Sequence, residues 1–231
     1  MVQWFLPFKE VIYLAKLKIG VIGGTPIDTK MGVDFIKKNG FEALGLPAAS
    51  NPEEQNYLQY MNPQVLNEKI ISFIQKFNKD DINKVMIYCN SLSSAIDLNN
   101  IKKIFPGTLI ITPHDVYRKL AKEFKSLMIW AANGQSLHNI EKIFYEHNPN
   151  IKLIGISLLP VIISIEKGII AENIFEEYKL QNFVNQIDYI EGILFGCTHL
   201  PYLKDLLVKS CNLPIIDPAD EMLNLLISSR R

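Results

Sequence analysis

Short apolar runs alternate with longer amphipathic segments along most of the chain, and this alternation constrains the fold more than any other feature. The apolar runs predict buried strands, and the segments between them place apolar residues on one helical face, as in residues 63–78. Strand–helix alternation of this kind predicts an α/β fold with a mostly parallel sheet. The predicted strands are 18–23, 84–88, 108–112, 127–131, 151–157, 192–195 and 214–216. A loop is predicted over 25–32, and it leads into a helix that ends near Gly40. The other predicted helices are 63–78, 91–105, 114–124, 135–147, 162–185, 201–209 and 219–228.

The composition of the chain argues against several classes of function. The 231 residues carry 24 basic and 24 acidic side chains, and this balance argues against a broad nucleic-acid surface. No apolar run reaches the ~20 residues that a membrane span requires, so we expect no membrane association. Three Cys do not make a disulfide framework, and they favour a reducing compartment, which predicts a cytoplasmic protein.

The basic residues are unevenly divided between 21 Lys and three Arg, and two of the Arg end the chain. We therefore expect any anionic substrate to be bound mostly by Lys, backbone N–H groups or hydroxyls rather than by an Arg fork.

The length permits one large domain or two small ones, and no low-complexity linker separates two halves. We expect two similar lobes, each a mostly parallel sheet flanked by helices, with an active site in the cleft between them. The first lobe is predicted to comprise 18–107 plus 210–231, and the second 108–209. Residues 1–17 are interpreted as an N-terminal extension packed on the surface. The alternative is that the start codon has been assigned too far upstream.

Two segments of the chain resemble each other. In each, an apolar strand leads into a Cys, a small polar residue and then a predicted helix: Cys89-Asn90 in one case and Cys197-Thr198 in the other. Ligands of open α/β sheets bind beyond the carboxyl ends of strands, where the next helix directs its N-terminal N–H groups. A thiolate is favoured there, so each Cys is a candidate base or nucleophile.

The residues around the two Cys suggest supporting roles. Asn90, Ser91 and Thr198 can hold a carboxylate or an amine, and His199 can assist proton transfer. A single Cys after a buried strand is usually a packed small hydrophobe, but a matched pair with polar successors favours chemistry. Cys211 lacks this context and is interpreted as structural. No Cys-x-x-Cys or His-x-x-x-His pattern occurs, so no metal site is predicted.

The segments Cys89–Ala95 and Gly196–Leu203 resemble the two signature motifs of the aspartate/glutamate racemase superfamily, in order and in spacing. The resemblance covers about residues 18–228. It implies a two-lobed enzyme that needs no cofactor, acts on a small amino acid and forms a homodimer. It also implies that one Cys removes the Cα proton while the other delivers a proton to the opposite face. By this resemblance the catalytic residues are Cys89 and Cys197, assisted by His199 and Glu166, and the substrate-binding residues are Gly24, Thr25, Asn90, Ser91 and Thr198.

A two-base reaction also constrains the distance between the sulfur atoms of Cys89 and Cys197. Each sulfur must reach Cα at roughly 3–3.5 Å from opposite sides, so we expect the two sulfurs to lie about 7 Å apart across a shared cleft.

The chain departs from the glutamate racemases in two loops. Their Asp-Ser-Gly is replaced by Gly23-Gly24-Thr25, so the acidic helper of Cys89 is expected to be missing. Their Pro-Tyr-Gly has only Pro47–Ala49 as a counterpart. These departures favour aspartate over glutamate as the substrate. A hydantoin racemase, a maleate-type isomerase and a two-lobed binding protein without catalysis stay open as alternatives, whereas retention of both Cys disfavours a one-Cys decarboxylase.

Overall fold

Two parallel four-stranded sheets form the framework of the molecule. A computed structural model describes residues 17–184 and 188–229, so the expected extension at 1–17 lies, except for Leu17, outside the described residues. The first sheet has the order β2-β1-β3-β4 and the second β6-β5-β7-β8, with every pair parallel. The strands are β1 (Lys18–Gly23), β2 (Glu42–Pro47), β3 (Lys84–Tyr88), β4 (Leu109–Ile111), β5 (Ser126–Ala131), β6 (Lys152–Ser157), β7 (Ile193–Gly196) and β8 (Ile215–Ile216). The predicted α/β class with two similar lobes is confirmed.

Helices cover the faces of both sheets. Within the described residues, none of them is long and apolar enough to cross a membrane. The α-helices are α1 (Pro26–Lys38), α2 (Pro52–Met61), α3 (Pro63–Lys79), α4 (Asn90–Ala95), α5 (Leu98–Ile104), α6 (Pro113–Glu123), α7 (Gly134–His147), α8 (Leu159–Glu166), α9 (Ala171–Glu177), α10 (Leu180–Val184), α11 (Lys204–Ser210) and α12 (Pro218–Ser228), and a 3-10 turn occupies Leu200–Leu203.

One hydrophobic cluster joins the two lobes. It contains Val21 and Met86 from the first sheet, Ile129 from the second, and Tyr117 and Phe144 from α6 and α7. Two further clusters cover the outer face of each sheet, one under α3 and one under the helices that follow β6. Because side chains of a strand alternate between faces, every central strand contributes to two clusters. The shared cluster therefore holds the sheets together as one molecule.

Strand register places both candidate Cys at the carboxyl edge of a sheet. In the first sheet Gly23 is paired with Tyr88, so Cys89 is the next residue beyond the edge. In the second sheet Ala131 is paired with Gly196, and Cys197 follows in the same way.

The structure differs from the sequence prediction in β2 and in several helices. The predicted set of strands omits β2, because it is a half-buried edge strand that contains a glycine and ends in Pro47, which weakens the pattern expected of a strand. The loop predicted over 25–32 is wrong, because the helix α1 already begins at Pro26. The helix predicted over 91–105 is divided into α4 and α5. The helical segment predicted over 162–185 begins at Leu159 and is divided into α8, α9 and α10.

Sheet membership also differs from the expected lobe boundaries at two strands. The predicted boundary after residue 107 assigns β4 to the second lobe, whereas β4 pairs with β3 in the first sheet. Residues 210–231 were expected in the first lobe, but β8 pairs with β7 in the second sheet. Only α12 returns, where it packs against β3, β4 and α6. These placements depend on long-range pairing, which composition along the chain does not encode.

A close approach between β1 and α3 generates a stability prediction. A Cβ atom on Gly20 would lie 2.7 Å from the ring of Phe77 in the outer cluster of the first sheet. We expect Gly20→Ala to lower the free energy of unfolding by about 1–3 kcal/mol, because a packed ring must shift to admit the methyl group. Gly107→Ala is the matched control, since its Cβ would meet nothing within 4 Å. Urea denaturation of both variants measures the difference, and equal stabilities would contradict this packing.

Candidate active site

A cavity lies between the lobes at the carboxyl ends of the central strands. Residues from both lobes line it: Asp28, Pro52, Gln55, Asn56, Cys89, Asn90 and Ser91 from the first, and Ala132, Asn133, Ser136, Leu159, Ile162, Gly196, Cys197, Thr198 and His199 from the second.

On the first-lobe side, Cys89 precedes the first turn of α4 with an extended backbone. Its Sγ lies 3.4 Å from Ser91 Oγ and 3.4 Å from Gln55 Nε2. The amides of Gln55 and Gln59, both on α2, also donate to Ser91 Oγ at 3.2 and 3.0 Å. The helix α2 therefore covers this side of the cavity with amide groups.

Asp28 supplies an acidic partner for Cys89, which the sequence analysis expected to be missing. It is the third residue of α1 and fully buried, it lines the same cavity as Cys89, and its charge raises the pKa of the Cys89 thiol. Gly24 N donates to Asp28 Oδ2 at 2.8 Å. The carboxyl group reaches Cys89 from the first turn of the helix rather than from the strand end, so the motif comparison did not locate it.

On the second-lobe side, Cys197, His199 and Glu166 form a chain of contacts. His199 Nδ1 lies 3.5 Å from Cys197 Sγ, and His199 Nε2 lies 2.6 Å from Glu166 Oε1. The sequence motif predicted that His199 assists Cys197, and α8 carries Glu166 to the far side of the imidazole ring. An imidazole held between a thiol and a carboxylate can move a proton to or from the sulfur.

The pKa values on this side favour an ion pair. Burial by itself lowers the pKa of His199, but the hydrogen bonds with Cys197 and Glu166 outweigh burial and raise that pKa well above its ordinary value. Burial raises the pKa of Glu166, yet the hydrogen bonds from His199 and Thr25 outweigh it and lower that pKa. Both directions describe an imidazolium paired with a carboxylate beside Cys197.

The pKa values on the Cys89 side favour a protonated thiol. Burial, followed by the nearby Asp28 carboxylate, raises the pKa of the Cys89 thiol. Burial also raises the pKa of Asp28, although His199, Thr198 and Gly24 act in the opposite direction. Cys89 is therefore held as a thiol, with a carboxyl group of increased proton affinity next to it.

Two threonine hydroxyls cross the cleft in opposite directions. Thr25 of the first lobe donates to Glu166 Oε1 at 2.6 Å. Thr198 of the second lobe donates to Asp28 Oδ1 at 2.6 Å. Each carboxyl group thus accepts a hydrogen bond from the opposite lobe. The Thr198 hydroxyl has a single proton, which it donates to Asp28. This hydroxyl can therefore only accept a hydrogen bond from a ligand.

Most of the predicted site residues meet at this cavity. Cys89, Cys197, Asn90, Ser91, Thr198 and His199 line it. Three predicted residues lie just outside it: Glu166 behind His199, Thr25 at the cross-lobe contact, and Gly24 beneath Gln55, where a Cβ would approach the Gln55 amide to 2.3 Å. Cys211, interpreted as structural, ends α11 away from the cavity, and its Sγ lies 3.5 Å from Leu207 O.

The sequence analysis missed four further polar residues, which are Gln55, Asn56, Asn133 and Ser136. The first two lie on α2, whose approach to the cavity depends on tertiary packing. A sequence signal existed for Asn133 and Ser136, because they follow β5 just as the Cys motifs follow β3 and β7. The rule that ligands bind beyond strand ends applies to every central strand, not only to those followed by Cys.

The described lining residues include neither Lys nor Arg. Arg118, the Arg that does not end the chain, is bonded to Asp115 on the surface. Of the donors expected for an anionic substrate, the hydroxyls and backbone N–H groups remain, joined by side-chain amides. A ligand in this cavity is therefore bound by neutral donors and one imidazolium.

We expect Glu166→Gln to lower the pKa of His199, because the substitution removes the carboxylate that stabilises the imidazolium. NMR titration of the imidazole measures this pKa. Since His199 has a higher pKa in the folded chain than the value near 6.5 of an unfolded chain, it contributes stability that is full below about pH 6.5 and is lost as the pH rises through the folded pKa. Glu42→Gln, at an exposed ion pair with Lys18, is the control. An unchanged His199 pKa in Glu166→Gln would contradict the assigned pair.

Comparison with known proteins gives relatives of one kind. No family model matches the chain. It is 28% identical over 156 residues to a glutamate racemase of Limosilactobacillus reuteri, and 25% identical over 152 residues to one of Clostridium botulinum. Each match covers 62% of this chain, with 55% and 58% of the respective relative. The chain thus spans less than two thirds of the curated relatives it matches.

Solved structures share the whole two-lobed fold. A glutamate racemase of Francisella tularensis in complex with D-glutamate superposes with a TM-score of 0.66 at 19% identity, over 93% of this chain and 81% of that one. An aspartate racemase of Picrophilus torridus gives 0.61 at 15% identity, over 91% and 93%. An allantoin racemase of Klebsiella pneumoniae gives 0.63 at 13% identity, over 92% and 87%. The chain therefore shares the two-lobed fold of these racemases, and over 62% of its length it is also similar in sequence to glutamate racemases.

Proposed function

We propose that the protein is a racemase that interconverts the L- and D-forms of an acidic amino acid by two-base proton transfer at Cα, without a cofactor. The observation that carries the proposal is that Cys89 and Cys197, one from each lobe, line the same cavity as free thiols. Inversion at Cα requires proton loss on one face and proton gain on the other. Two sulfurs on opposite walls perform both steps without either having to move across the cleft.

The two sides of the cavity are suited to opposite protonation states. Next to Cys197, the imidazolium of His199 stabilises negative charge on the sulfur, so Cys197 serves as the base in one direction. Cys89 is held as a thiol and then donates its proton to the other face of Cα. After one turnover the proton has moved from Cys89 to Cys197, and the reverse reaction restores the starting state.

In the reverse direction Cys89 must act as the base. Asp28 lines the cavity beside Cys89, and burial raises the pKa of its carboxyl group, so its carboxylate can accept the thiol proton as the substrate enters. The hydrogen bond from Thr198 holds the carboxyl group in place from the other lobe. His199 and Glu166 perform the corresponding task for Cys197.

The sulfur chemistry also bears on where the protein works. Proton transfer requires both thiols in the reduced state, which a reducing cytoplasm maintains, so we place the enzyme there.

Among acidic amino acids we place aspartate before glutamate, because the loops typical of glutamate racemases are absent here. The matched relatives that carry a curated name are glutamate racemases, so both acids belong in the assay. The second candidate function is racemisation of a hydantoin. It is favoured by the described lining residues, which include neither Lys nor Arg, since neutral amide donors suit a neutral cyclic amide, and by the fold shared with an allantoin racemase.

We expect the purified protein to exchange the Cα proton of aspartate or glutamate in heavy water, and to racemise it, without added pyridoxal phosphate or metal. Proton NMR follows the exchange, and chiral chromatography follows the inversion. Exchange of a substituted hydantoin but of neither acid would select the second candidate. Activity that is lost on dialysis against a chelator and a carbonyl reagent, and regained with pyridoxal phosphate, would contradict the mechanism.

We expect Cys89→Ala and Cys197→Ala each to abolish racemisation. Each variant should retain slow Cα exchange of one enantiomer only, and the two variants should retain opposite enantiomers, because the remaining thiol faces one side of Cα. Cys211→Ala is the matched control and should leave racemisation near the wild-type rate, since this Cys lies outside the cavity. Retention of the same enantiomer by both variants would contradict thiols on opposite faces.

A further inference from the structure

Among the described lining residues, the Cys89 side of the cavity offers no cation that could stabilise a thiolate. Cys197 has the imidazolium of His199 beside it, whereas the charged group near Cys89 is the carboxylate of Asp28. When Cys89 acts as the base, its buried sulfur carries a full negative charge. Burying such a charge without partners is costly, so neutral hydrogen-bond donors have to take the place of a cation.

The helix α2 directs two side-chain amides toward this wall of the cavity. Gln55 and Gln59 lie one helical turn apart and therefore share a face of the helix. Leu58 is on the same side and packs in the outer cluster of the first sheet, which anchors the helix. Tyr57 and Tyr60, by contrast, are exposed. The amphipathic pattern of α2 thus holds both amides on its inner side.

The Gln55 amide is packed against the backbone of Gly24. A Cβ atom at Gly24 would lie 2.3 Å from Gln55 Nε2, so a larger residue there would displace the amide. From this position Gln55 Nε2 donates to Cys89 Sγ at 3.4 Å and to Ser91 Oγ at 3.2 Å. An amide nitrogen has two protons, and each of them is directed at one of these acceptors.

The hydrogen bonds to Ser91 determine the direction of its contact with Cys89. Ser91 Oγ accepts one hydrogen bond from Gln55 and another, at 3.0 Å, from Gln59. A hydroxyl oxygen has two lone pairs, and the two amides occupy both. Ser91 is therefore the donor in its 3.4 Å contact with Cys89 Sγ. Two protons, one from Gln55 and one from Ser91, thus point at the same sulfur.

These donors oppose the other influences on Cys89. Burial, followed by the nearby Asp28 carboxylate, raises the pKa of this thiol, whereas the hydrogen bond from Ser91 lowers it. Once Asp28 has accepted the thiol proton, its repulsion is gone and the donors have only burial to overcome. The thiol is thus preserved in the free protein, and the cost of the thiolate is reduced when the reaction requires it.

We propose that Gln55 is a further catalytic residue, which donates a hydrogen bond to the Cys89 thiolate, and that Gln59 is a positioning residue, which orients the Ser91 hydroxyl proton toward the same sulfur. This inference rests on the proposed racemase function. Neither amide transfers a proton. The hydrogen bonds strengthen as negative charge develops on the sulfur, and they act in the direction in which Cys89 removes the Cα proton.

Alkylation by iodoacetamide measures the Cys89 thiolate without any racemisation. The starting protein is the Cys197→Ala/Cys211→Ala variant, in which Cys89 is the only Cys of the chain. Adding Gln55→Met removes the donor and keeps a side chain of similar length over the sulfur. We expect the alkylation rate at mildly alkaline pH to fall about threefold or more. The thiolate fraction falls about tenfold, while the nucleophilicity of the remaining thiolate rises about threefold.

Cα exchange of aspartate and glutamate shows whether the donor acts on one sulfur only. In a Cys197→Ala background Cys89 is the remaining base, and in a Cys89→Ala background Cys197 is. We expect Gln55→Met to lower the exchange rate about 10-fold or more in the first background and to have a much smaller effect in the second. Gln59→Met should lower the exchange rate in the first background by about 2- to 10-fold, since it removes one neutral hydrogen bond.

Gln64→Met is the matched control, because Gln64 is an exposed glutamine in the first turn of α3. It should change neither the alkylation rate nor the exchange rate. The melting temperature of each variant shows that the protein is folded at the temperature of the assays.

An unchanged alkylation rate in Gln55→Met would overturn the inference. Equal losses of exchange in the two backgrounds would also overturn it, because they would assign Gln55 a general packing role. Wild-type protein that exchanges neither acid would contradict the proposed function itself. Slower alkylation in Gln55→Met would in that case still support the hydrogen bond to the Cys89 thiolate, so the two failures are distinguishable.

Discussion

The two hydrogen bonds that cross the cleft, from Thr25 to Glu166 and from Thr198 to Asp28, are the interactions on which the rest of the site depends. Each lobe carries a carboxyl group that receives a proton donor from the other lobe. One of these carboxyl groups lines the cavity with Cys89, and the other is bonded to His199. The same two hydrogen bonds therefore join the lobes at the cavity and fix the carboxyl groups next to the two Cys motifs.

The two walls of the cavity hold their sulfurs in different ways. Burial, followed by the nearby Asp28 carboxylate, raises the pKa of Cys89, which preserves the thiol. Cys197 lies beside an imidazolium whose pKa is raised by Cys197 itself and by Glu166. A two-base reaction needs this difference, because one sulfur must begin protonated and the other must be able to lose its proton. Cys89 and Cys197 occupy equivalent positions in the two lobes, and their neighbouring side chains give the two sulfurs different environments.

The repeated topology places equivalent residues of the two lobes at the cavity. In each lobe the helix after the first central strand presents its third residue to the cavity, Asp28 in one case and Ser136 in the other. The two equivalent positions thus differ in chemistry, because one carries a carboxyl group that accepts a hydrogen bond from Thr198 and the other carries a hydroxyl.

The sequence by itself determined the α/β class, most of the central strands and the position of both Cys at strand ends, because these follow from local periodicity and from the residues next to each strand. It also predicted the contact between Cys197 and His199, which lie two residues apart. The tertiary structure alone decided that Asp28 reaches Cys89, that Gln55 covers it, and that Thr25 and Glu166 meet across the cleft. It likewise assigned β4 to the first sheet and β8 to the second. These features join residues far apart in the chain, and their geometry is set by strand order and helix packing, which local periodicity does not specify.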